Sequence, residues 1–542
     1  SLMEKLLKKL LKTEFIFKMK KVIYVLLFFF VTYLCSQNNN KKLEVKLESN
    51  TSWWAGIIIE GHKMPLKNGY EANLYGTSYF NQLQPLLLSS DGELVWSEEP
   101  FRFKVTDENI LFDQAYAPLQ YVKAGSNLKE AYLHASSNYF PPSGKMPPEL
   151  FFSVPQYNTW IELTYNQNQK DILEYARAII ENGMPPGIIM IDDNWQEDYG
   201  KWNFHKGRFP DPNAMMKELK ELGFKVMLWV CPFVSPDSDT YRKLEKEGAF
   251  MLDDKDKPAM VRWWNGVSAV LDLSTSDGDK WFRDELDRLT KEYGVSGFKL
   301  DAGDSRFYKG IKSKSKISPN THTELFAKIG LDYPFNEYRA TWKMGGQPLV
   351  QRLHDKGHDW EDIKKLIPQM VLEGIMGYPF SCPDMIGGGQ FTAFLNDAPI
   401  DQELVVRSAQ VHALMPMMQF SVAPWRILDD RYLKAVLKVV DLREDFKDVI
   451  IDLAKEAAIT GEPIVRSMEY VFPHKGYAKI SDQYMLGNDI IVAPYIEKGQ
   501  GIRKVVLPKG KWKSDDRKVY RGNKTIEIIV PLNRLPYFVK IK

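Results

Sequence analysis

A chain of 542 residues is long enough for two to four domains with sizeable hydrophobic cores. Its net charge is only +2, and residues 1–21 carry a local charge of +5, so the remainder has a net charge of −3. This balance excludes the strongly basic character of nucleic-acid-binding proteins and gives no indication of a membrane-surface partner.

The N-terminal region has the pattern of a secretory signal peptide. A methionine and two lysines at 19–21 precede the apolar run 22–34, which is too short to span a bilayer. We expect cleavage after Ser36 and export to the periplasm or cell surface. Lipidation at Cys35 and a short buried helix are the alternatives. Residues 1–18 lie upstream of this start and are interpreted as an artefact.

Two cysteines, Cys231 and Cys382, remain beyond this segment, and both lie in apolar runs. Two isolated cysteines do not make a disulfide framework in an exported protein. The stability of the fold is therefore expected to come from the size of its cores.

Residues 37–148 have the pattern of a β-sandwich. Apolar and charged residues alternate at 43–47 and 101–105, and Asp91-Gly92 marks a turn. Prolines and a glycine at 141–148 then predict a domain boundary.

Residues 149–458 alternate short apolar runs with helical patterns. Eight strands with intervening helices are typical of a (β/α)8 TIM barrel. A doubly wound open sheet is the alternative, but the glycine-rich phosphate turn that normally follows its first strand is not present. The predicted strands are 155–163, 188–191, 226–230, 297–300, 334–338, 348–353, 378–382 and 417–421.

A helix is predicted over 431–458, and β patterns return in 459–542, with strands at 489–494, 503–507 and 525–530. The predicted fold class is therefore α/β, with a TIM barrel between an N-terminal β-sandwich and a C-terminal β domain.

Charged residues and tryptophans end several predicted barrel strands, where barrel enzymes place their active sites. One apolar strand runs into a carboxylate, in Gly297-Phe298-Lys299-Leu300-Asp301, and Lys299 shares a strand face with Asp301. Helix capping is the alternative role for Asp193. The residues expected to converge on one cavity are Asp192, Asp193, Trp229, Lys299, Asp301, Asp304, Arg339, Arg352, Asp355 and Asp384.

Paired carboxylates in such a cavity serve either divalent-metal binding or glycoside cleavage. His354 and His358 are four residues apart without a Glu-x-x-His pattern, so no metal is expected. Glycoside cleavage needs an ionised and a protonated carboxyl group on opposite sides of the scissile bond. Lys299 and Arg339 are suited to keep a nucleophile ionised. The candidate apolar walls are Trp160, Trp229, Trp263 and Trp264.

Several long motifs between about 150 and 540 resemble glycoside hydrolase family 31, in consistent order. They are Ile191-Asp192-Asp193, Leu228-Trp229-Val230, Phe298-Lys299-Leu300-Asp301, Pro383-Asp384-Met385-Ile386-Gly387-Gly388, Gly487-Asn488-Asp489-Ile490-Ile491-Val492-Ala493-Pro494 and Val506-Leu507-Pro508-Lys509-Gly510-Lys511-Trp512. Within the family, the chain is most similar to the branch of the myogenesis-regulating glycosidase and bacterial α-galactosidases. The motifs that carry this likeness are Phe298-Lys299-Leu300-Asp301-Ala302-Gly303, Arg262-Trp263-Trp264-Asn265-Gly266 and Met415-Pro416-Met417-Met418-Gln419-Phe420-Ser421.

The resemblance implies a retaining α-glycosidase without a cofactor, in which Asp301 is the nucleophile and Asp355 the acid/base. Asp355 lies sixteen residues after Arg339, which is the family's spacing between a substrate-binding arginine and the acid/base. The family's Trp-x-Gly-Asp is here Arg352-Leu353-His354-Asp355, a departure that leaves Asp359 as the alternative acid.

The cavity residues named above other than Asp301 and Asp355, together with Trp264, are the candidate substrate-binding residues. The resemblance implies more specific roles for five of them. Asp192 and Asp384 would bind sugar hydroxyls, Arg339 would hold the nucleophile and a ring hydroxyl, and Trp229 and Trp264 would shape the pocket. α-Galactosides are the leading substrates, and α-glucosides or α-xylosides the alternatives. A non-catalytic carbohydrate-binding relative and a transglycosylase are the competing classes. Linkage and oligomeric state do not follow from the sequence.

Overall fold

The computed structural model describes residues 43–77, 79–395 and 399–541. The predicted signal peptide lies outside these residues. In the described part of the chain, every helix is too short or too polar to cross a membrane. A central barrel lies between two β units along the chain.

Two four-stranded antiparallel sheets form the N-terminal unit, which is the predicted β-sandwich. Trp53 and Leu87 of one sheet share a core with Phe103 and Phe112 of the other. Alternate burial along Phe101–Val105 fits this packing, since successive side chains of a strand point to opposite faces. The first sheet has the strand order Leu43–Lys46, Asn109–Ala115, Phe101–Val105, Glu71–Asn73. The second has the order Trp53–Ile57, Leu83–Ser89, Glu93–Trp96, Gln120–Lys123.

Eight parallel strands form the barrel, as predicted. The eighth strand pairs with the first, and a parallel bridge between Met385 and Gln419 joins the end of the seventh to the eighth, which closes the barrel. Ile188–Ile191 is buried along its whole length because helices cover the outside and side chains fill the inside. The strands are Gln156–Asn158, Ile188–Ile191, Lys225–Val230, Gly297–Leu300, Phe335–Tyr338, Gln351–Arg352, Ser381–Cys382 and Gln419–Phe420.

Seven of the helices around the barrel begin at a capping side chain, which accepts a hydrogen bond from the backbone N–H three residues later. Asn168, Thr275 and Asp359 are three of these caps. The seven helices are Gln169–Glu181, Pro212–Glu221, Asp239–Glu247, Ser276–Tyr293, Pro319–Ile329, Trp360–Ile375 and Gln402–Ala413.

The predicted boundaries differ from the structure at several barrel strands. The first strand ends at Asn158, whose side chain accepts a hydrogen bond from the Trp160 N–H and turns the chain into the short helix Trp160–Leu163. The sixth strand is shorter than 348–353, and Pro348 cannot donate a ladder hydrogen bond. The two cysteines of the described chain are buried and free, as expected.

Two small sheets inserted in the barrel were not predicted. One is the hairpin Gln196–Asp198 and Lys201–Phe204 after the second strand. The other joins Phe233–Val234, Gly266–Val270 and Met260–Trp263 after the third strand. The second sheet matters for function because Trp264 lies in its turn.

A long helix, Asp430–Thr460, leads to the C-terminal β unit. Its six-stranded sheet has the order Val465–Arg466, Tyr484–Leu486, Ile490–Val492, Tyr537–Ile541, Lys511–Ser514, Val519–Arg521. A separate two-stranded sheet pairs Ile502–Leu507 with Lys524–Ile529. The remaining helical segments are Ile58–Lys63, Leu128–Tyr139, Leu150–Ser153, Ser305–Tyr308, Gly330–Asp332, Phe391–Phe394, Pro424–Ile427 and Met468–Val471.

Candidate active site

A cavity of about 340 Å³ opens at the carboxyl ends of the barrel strands. It brings together eight of the ten predicted cavity residues and Trp264, whereas Asp304 and Asp384 lie behind its wall. The lining residues are Phe80, Trp160, Tyr165, Asp192, Asp193, Trp229, Trp264, Lys299, Asp301, Arg306, Arg339, Arg352, His354, Asp355, Gln390 and Phe391.

Counting Trp264, eleven site residues were predicted, and nine of them line the cavity directly. The other two, Asp304 and Asp384, are fully buried, and their carboxylate oxygens accept hydrogen bonds from neighbouring side chains and backbone N–H groups. We therefore interpret these two as positioning residues, and their direct contact with substrate stays a prediction.

Asp301 directly follows the fourth barrel strand and is held by two side chains. Its Oδ1 accepts a hydrogen bond from Arg339 Nε (3.0 Å), and its Oδ2 accepts one from Trp229 Nε1 (3.1 Å). Burial alone would raise the pKa of Asp301, but the charges of Arg339 and Lys299 outweigh it and hold this pKa well below its ordinary value. The carboxylate is therefore ionised and fixed in orientation.

The backbone after Asp301 is arranged to keep this carboxylate at the strand end. Ala302 adopts a left-handed conformation (φ 60°), and its N–H donates to Asp301 Oδ1 (2.8 Å). A side chain on Gly303 would overlap the ring of Phe326, so the turn requires a glycine there. Such strained backbone is often found at functional sites.

Arg339 is itself fixed from behind the cavity by Asp304. Two parallel hydrogen bonds join them, from the guanidinium to Asp304 Oδ2 (2.7 Å) and Oδ1 (3.1 Å). A bidentate pair of this kind fixes the plane of the guanidinium. Asp304 thus positions Arg339, which in turn orients Asp301.

Asp355 lies on the loop after the sixth strand and is the more exposed of the two central carboxylates, with 34% of its side chain accessible. Arg352 Nη1 donates to Asp355 Oδ1 and to Asp384 Oδ1, each at 2.9 Å. Arg352 Nε donates to buried Glu337 (3.1 Å). Any side chain on Gly389 would crowd both Asp355 and Asp384, so this glycine allows the close approach.

The alternative acid, Asp359, does not line the cavity. Its Oδ1 accepts a hydrogen bond from the Asp362 N–H and caps the helix Trp360–Ile375. His358 is likewise structural, since its Nε2 accepts from the Asp401 N–H and its Nδ1 lies 2.9 Å from the Gly387 carbonyl oxygen. The geometry therefore favours Asp355 over Asp359.

The floor of the cavity carries a second ion pair. Lys299 Nζ donates to Asp192 Oδ2 (2.6 Å), and both side chains are almost fully buried. Burial raises the pKa of the adjacent Asp193 to about 7, although Gln196 and Tyr199 donate hydrogen bonds that oppose this shift. The floor thus offers charged and neutral hydrogen-bonding groups at the closed end of the pocket.

Comparison with models of known protein families assigns the chain to a family. The family model described as "Glycosyl hydrolases family 31 TIM-barrel domain" matches residues 144–452, and the family's C-terminal domain matches residues 461–541. The chain belongs to glycoside hydrolase family 31.

Individual relatives of this chain support the assignment to family 31. The "Myogenesis-regulating glycosidase" of Mus musculus is 32% identical over 441 residues, which are 77% of this chain and 60% of that protein. "Alpha-glucosidase 2" of Bacillus thermoamyloliquefaciens is 24% identical, covering 80% of this chain and 57% of that protein. The chain thus spans about three fifths of the length of these relatives.

A solved structure shows the same fold. The family 31 dextranase FjDex31A of Flavobacterium johnsoniae, complexed with glucose, superposes with a TM-score of 0.81 at 21% identity, covering 93% of this chain and 67% of that one.

Within the described residues of our family 31 chain, no group of three or more His, Cys, Asp or Glu side chains is placed to hold a metal ion.

The N-terminal sandwich contributes to the site in a way that the sequence did not reveal. Phe80 lines the cavity, and its carbonyl oxygen accepts from Arg339 Nη1 (2.7 Å). Asn81 Nδ2 donates to the carbonyl oxygens of Arg339 (3.0 Å) and Arg352 (3.2 Å), while its Oδ1 accepts from the His354 N–H (3.0 Å). Asn81 therefore links Arg339, which orients Asp301, to the segment that leads into Asp355.

Replacing Asn81 with Ala is expected to lower kcat/KM by roughly 10- to 100-fold, because small displacements of positioned groups are costly. The matched control is Asn68→Ala, since Asn68 is an exposed residue of the same unit whose side chain bonds, among the described residues, to Asp107 alone. Steady-state kinetics and melting temperatures of both variants check this. Equal kinetics for the two variants would contradict the positioning role.

The depressed pKa of Asp301 predicts the acid side of the pH profile. A carboxylate with a lowered pKa stays ionised throughout the range above about 4, its ordinary value, and loses its charge only below that. We therefore expect kcat/KM not to fall between pH 6 and about pH 4.5 through protonation of Asp301. Because burial raises the pKa of both Asp193 and Asp384 to about 7, a fall in that range that persists in Asp193→Asn and in Asp384→Asn would contradict this prediction.

Proposed function

We propose that this family 31 protein is a retaining α-glycosidase that removes terminal α-linked sugars. The observation that carries the proposal is that Asp301 and Asp355 line the same cavity in different environments. Asp301 is buried and clamped between cationic and indole donors, whereas Asp355 is partly exposed and held by Arg352 alone among the described side chains. Two carboxyl groups with different environments are what retaining cleavage requires.

In the first step, an Asp301 oxygen attacks the anomeric carbon while the bond to the leaving oxygen breaks. Asp355 gives its proton to that oxygen, so the leaving group departs as an alcohol and the sugar is bound to Asp301 as an ester. In the second step, Asp355 takes a proton from water, and the resulting oxygen displaces Asp301. Two inversions restore the α configuration.

The shape of the cavity supports action on chain ends. Its floor is closed by Asp192, Lys299 and Trp229, while the rim carries exposed aromatic side chains such as Trp264. A volume of about 340 Å³ is at the small end of ligand pockets. One terminal sugar at the floor, with the leaving group toward the rim, fits this arrangement.

For the substrate, we propose α-galactosides first. The support is the sequence resemblance to the branch that contains bacterial α-galactosidases, together with the relative named as a myogenesis-regulating glycosidase. α-Glucosides and α-xylosides are the second candidates, because relatives at 24% identity are named "Alpha-glucosidase 2" and "Alpha-xylosidase XylQ".

The test is a panel of 4-nitrophenyl α-glycosides (galactoside, glucoside, xyloside and fucoside) with the wild type and Asp301→Asn. We expect the wild type to cleave at least one substrate and to release the α-anomer first, as followed by NMR. A β-anomer as first product, or equal activity of Asp301→Asn, would refute the mechanism.

The same glycoside panel also tests the two competing classes, a carbohydrate-binding protein and a transferase. A relative named "SITS-binding protein" and another named "Isomaltosyltransferase", each 25% identical, motivate a binding protein and a transferase as alternatives. A binding protein would bind sugar without turnover in the wild type. A transferase would give new glycosides instead of free sugar when an acceptor sugar is added.

Export remains a proposal that rests on the sequence alone. The pattern at 19–36 predicts a cleaved signal peptide and a periplasmic or cell-surface protein. N-terminal sequencing of the protein from the source cell envelope tests it, and an uncleaved N-terminus would contradict it.

A further inference from the structure

Arg306 lies at the rim of the cavity, in the short helical segment Ser305–Tyr308 that follows the fourth barrel strand. Its guanidinium carbon is 4.4 Å from the ring centroids of both Phe80 and Phe307. One of these rings comes from the N-terminal sandwich and the other from the barrel. The two rings hold the arginine in place without using its hydrogen-bond donors.

The other cations of the cavity wall are all paired with carboxylates. Lys299 pairs with Asp192, Arg339 with Asp301 and Asp304, and Arg352 with Glu337, Asp355 and Asp384. These pairs account for the carboxylates nearest the reaction centre.

Arg306 differs from these cations, because its side chain makes no hydrogen bond or salt bridge to any described residue. Its Nε is buried and lacks a partner. A guanidinium presents five donors in a planar fork that matches an oxyanion. A partly buried arginine with unused donors in a cavity wall is therefore a candidate ligand-binding group.

The position of Arg306 fixes which part of a substrate it would meet. The floor side chains Asp192, Lys299 and Trp229 are at most 5% exposed, whereas Phe80 and Trp264 at the rim are 37% and 45% exposed. The terminal sugar belongs at the closed floor. Arg306 consequently faces the leaving-group side of the scissile bond.

We propose that Arg306 binds an anionic substituent, a carboxylate or a sulfate, on the leaving-group side, so that the enzyme prefers acidic glycosides. This inference rests on the proposed glycosidase function. The negative charges closest to Arg306 do not oppose it, because Asp301 and Asp304 are both engaged by Arg339. An anion at the rim would pair with the one cation of the cavity wall that has no carboxylate partner among the described residues.

The experiment compares three aryl α-glycosides of the sugar that the panel shows to be cleaved, or of galactose if the panel shows no cleavage. Their 4-nitrophenyl leaving groups carry no substituent, a ring carboxylate or a ring sulfate. The variants are Arg306→Met, which removes the charge, and Arg306→Lys, which keeps the charge but not the fork. Arg431→Met is the matched control, since Arg431 stacks on Tyr432 at the surface away from the cavity.

We expect the wild type and Arg431→Met to favour both acidic substrates by about tenfold in kcat/KM, corresponding to ~1.4 kcal/mol. In Arg306→Met the ratio should fall to about 1, and Arg306→Lys should lie between. A wild-type ratio near 1, or an unchanged ratio in Arg306→Met, would overturn the proposal. An equal loss on all three substrates would assign Arg306 to stability alone and overturn it too.

Calorimetric titration of the same three compounds into Asp301→Asn protein separates this inference from the proposed function. The Arg306 site is supported if Asp301→Asn protein binds the acidic compounds more tightly and if adding Arg306→Met to that variant abolishes the preference. This holds even if the wild type turns over none of the compounds. Equal binding of neutral and acidic compounds to an active enzyme would overturn the Arg306 site and leave the glycosidase function standing.

Discussion

Replacing Asp301 with Ala should lower kcat by at least about 10⁴-fold, because the variant lacks the oxygen that forms the covalent intermediate. The fold should survive, since Arg339 keeps its bidentate pair with Asp304. Kinetics with the best 4-nitrophenyl α-glycoside, together with melting temperature, measure both effects. A variant that retains one tenth of the wild-type rate would exclude Asp301 as the nucleophile.

The void in Asp301→Ala gives a second readout. A small anion such as azide can occupy the space of the missing carboxylate and attack the anomeric carbon once. We expect azide to restore part of the activity on the nitrophenyl substrate and to yield the β-glycosyl azide, because a single displacement inverts the centre. Failure of azide to restore turnover, with the protein folded and still binding sugar, would speak against a direct nucleophilic role.

The barrel could be predicted from the sequence because its strands are short apolar runs that end in functional residues. Ile188–Ile191 and Gly297–Leu300 are buried on both faces, so their sequences are apolar without alternation, and Asp192 and Asp301 follow them directly. The convergence of strand ends in a closed barrel then places these carboxylates in one cavity.

The contribution of the N-terminal sandwich could not be predicted in this way. Phe80 and Asn81 follow no strand of the barrel, and Asn81 contacts residues 258 and 271 positions later in the chain. No periodic pattern in the amino-acid sequence indicates such a contact. For Asp304 and Asp384, position in the sequence does not tell whether a strand-end carboxylate faces the cavity or the side chain behind it, and their direct contact with substrate stays a prediction.

Asp355→Ala is expected to have an effect that depends on the leaving group, because Asp355 supplies the proton that a poor leaving group needs. For a natural disaccharide, kcat/KM should fall by about 10³-fold or more, whereas for 4-nitrophenyl glycosides the fall in kcat/KM should be much smaller. Asp359→Ala is the matched control. It should cost about 1 kcal/mol of stability through the lost helix cap and leave the leaving-group dependence unchanged.

The stereochemistry of azide rescue distinguishes the two carboxylates. In Asp355→Ala the nucleophile Asp301 is intact, so azide attacks the glycosyl-enzyme and the product should be the α-glycosyl azide, opposite to the product from Asp301→Ala. If Asp359→Ala rather than Asp355→Ala gave the α-azide and the leaving-group dependence, the acid/base would be Asp359, and the capping hydrogen bond to the Asp362 N–H would have to break during catalysis. The two products, read by NMR, therefore assign both roles from opposite outcomes of one reaction.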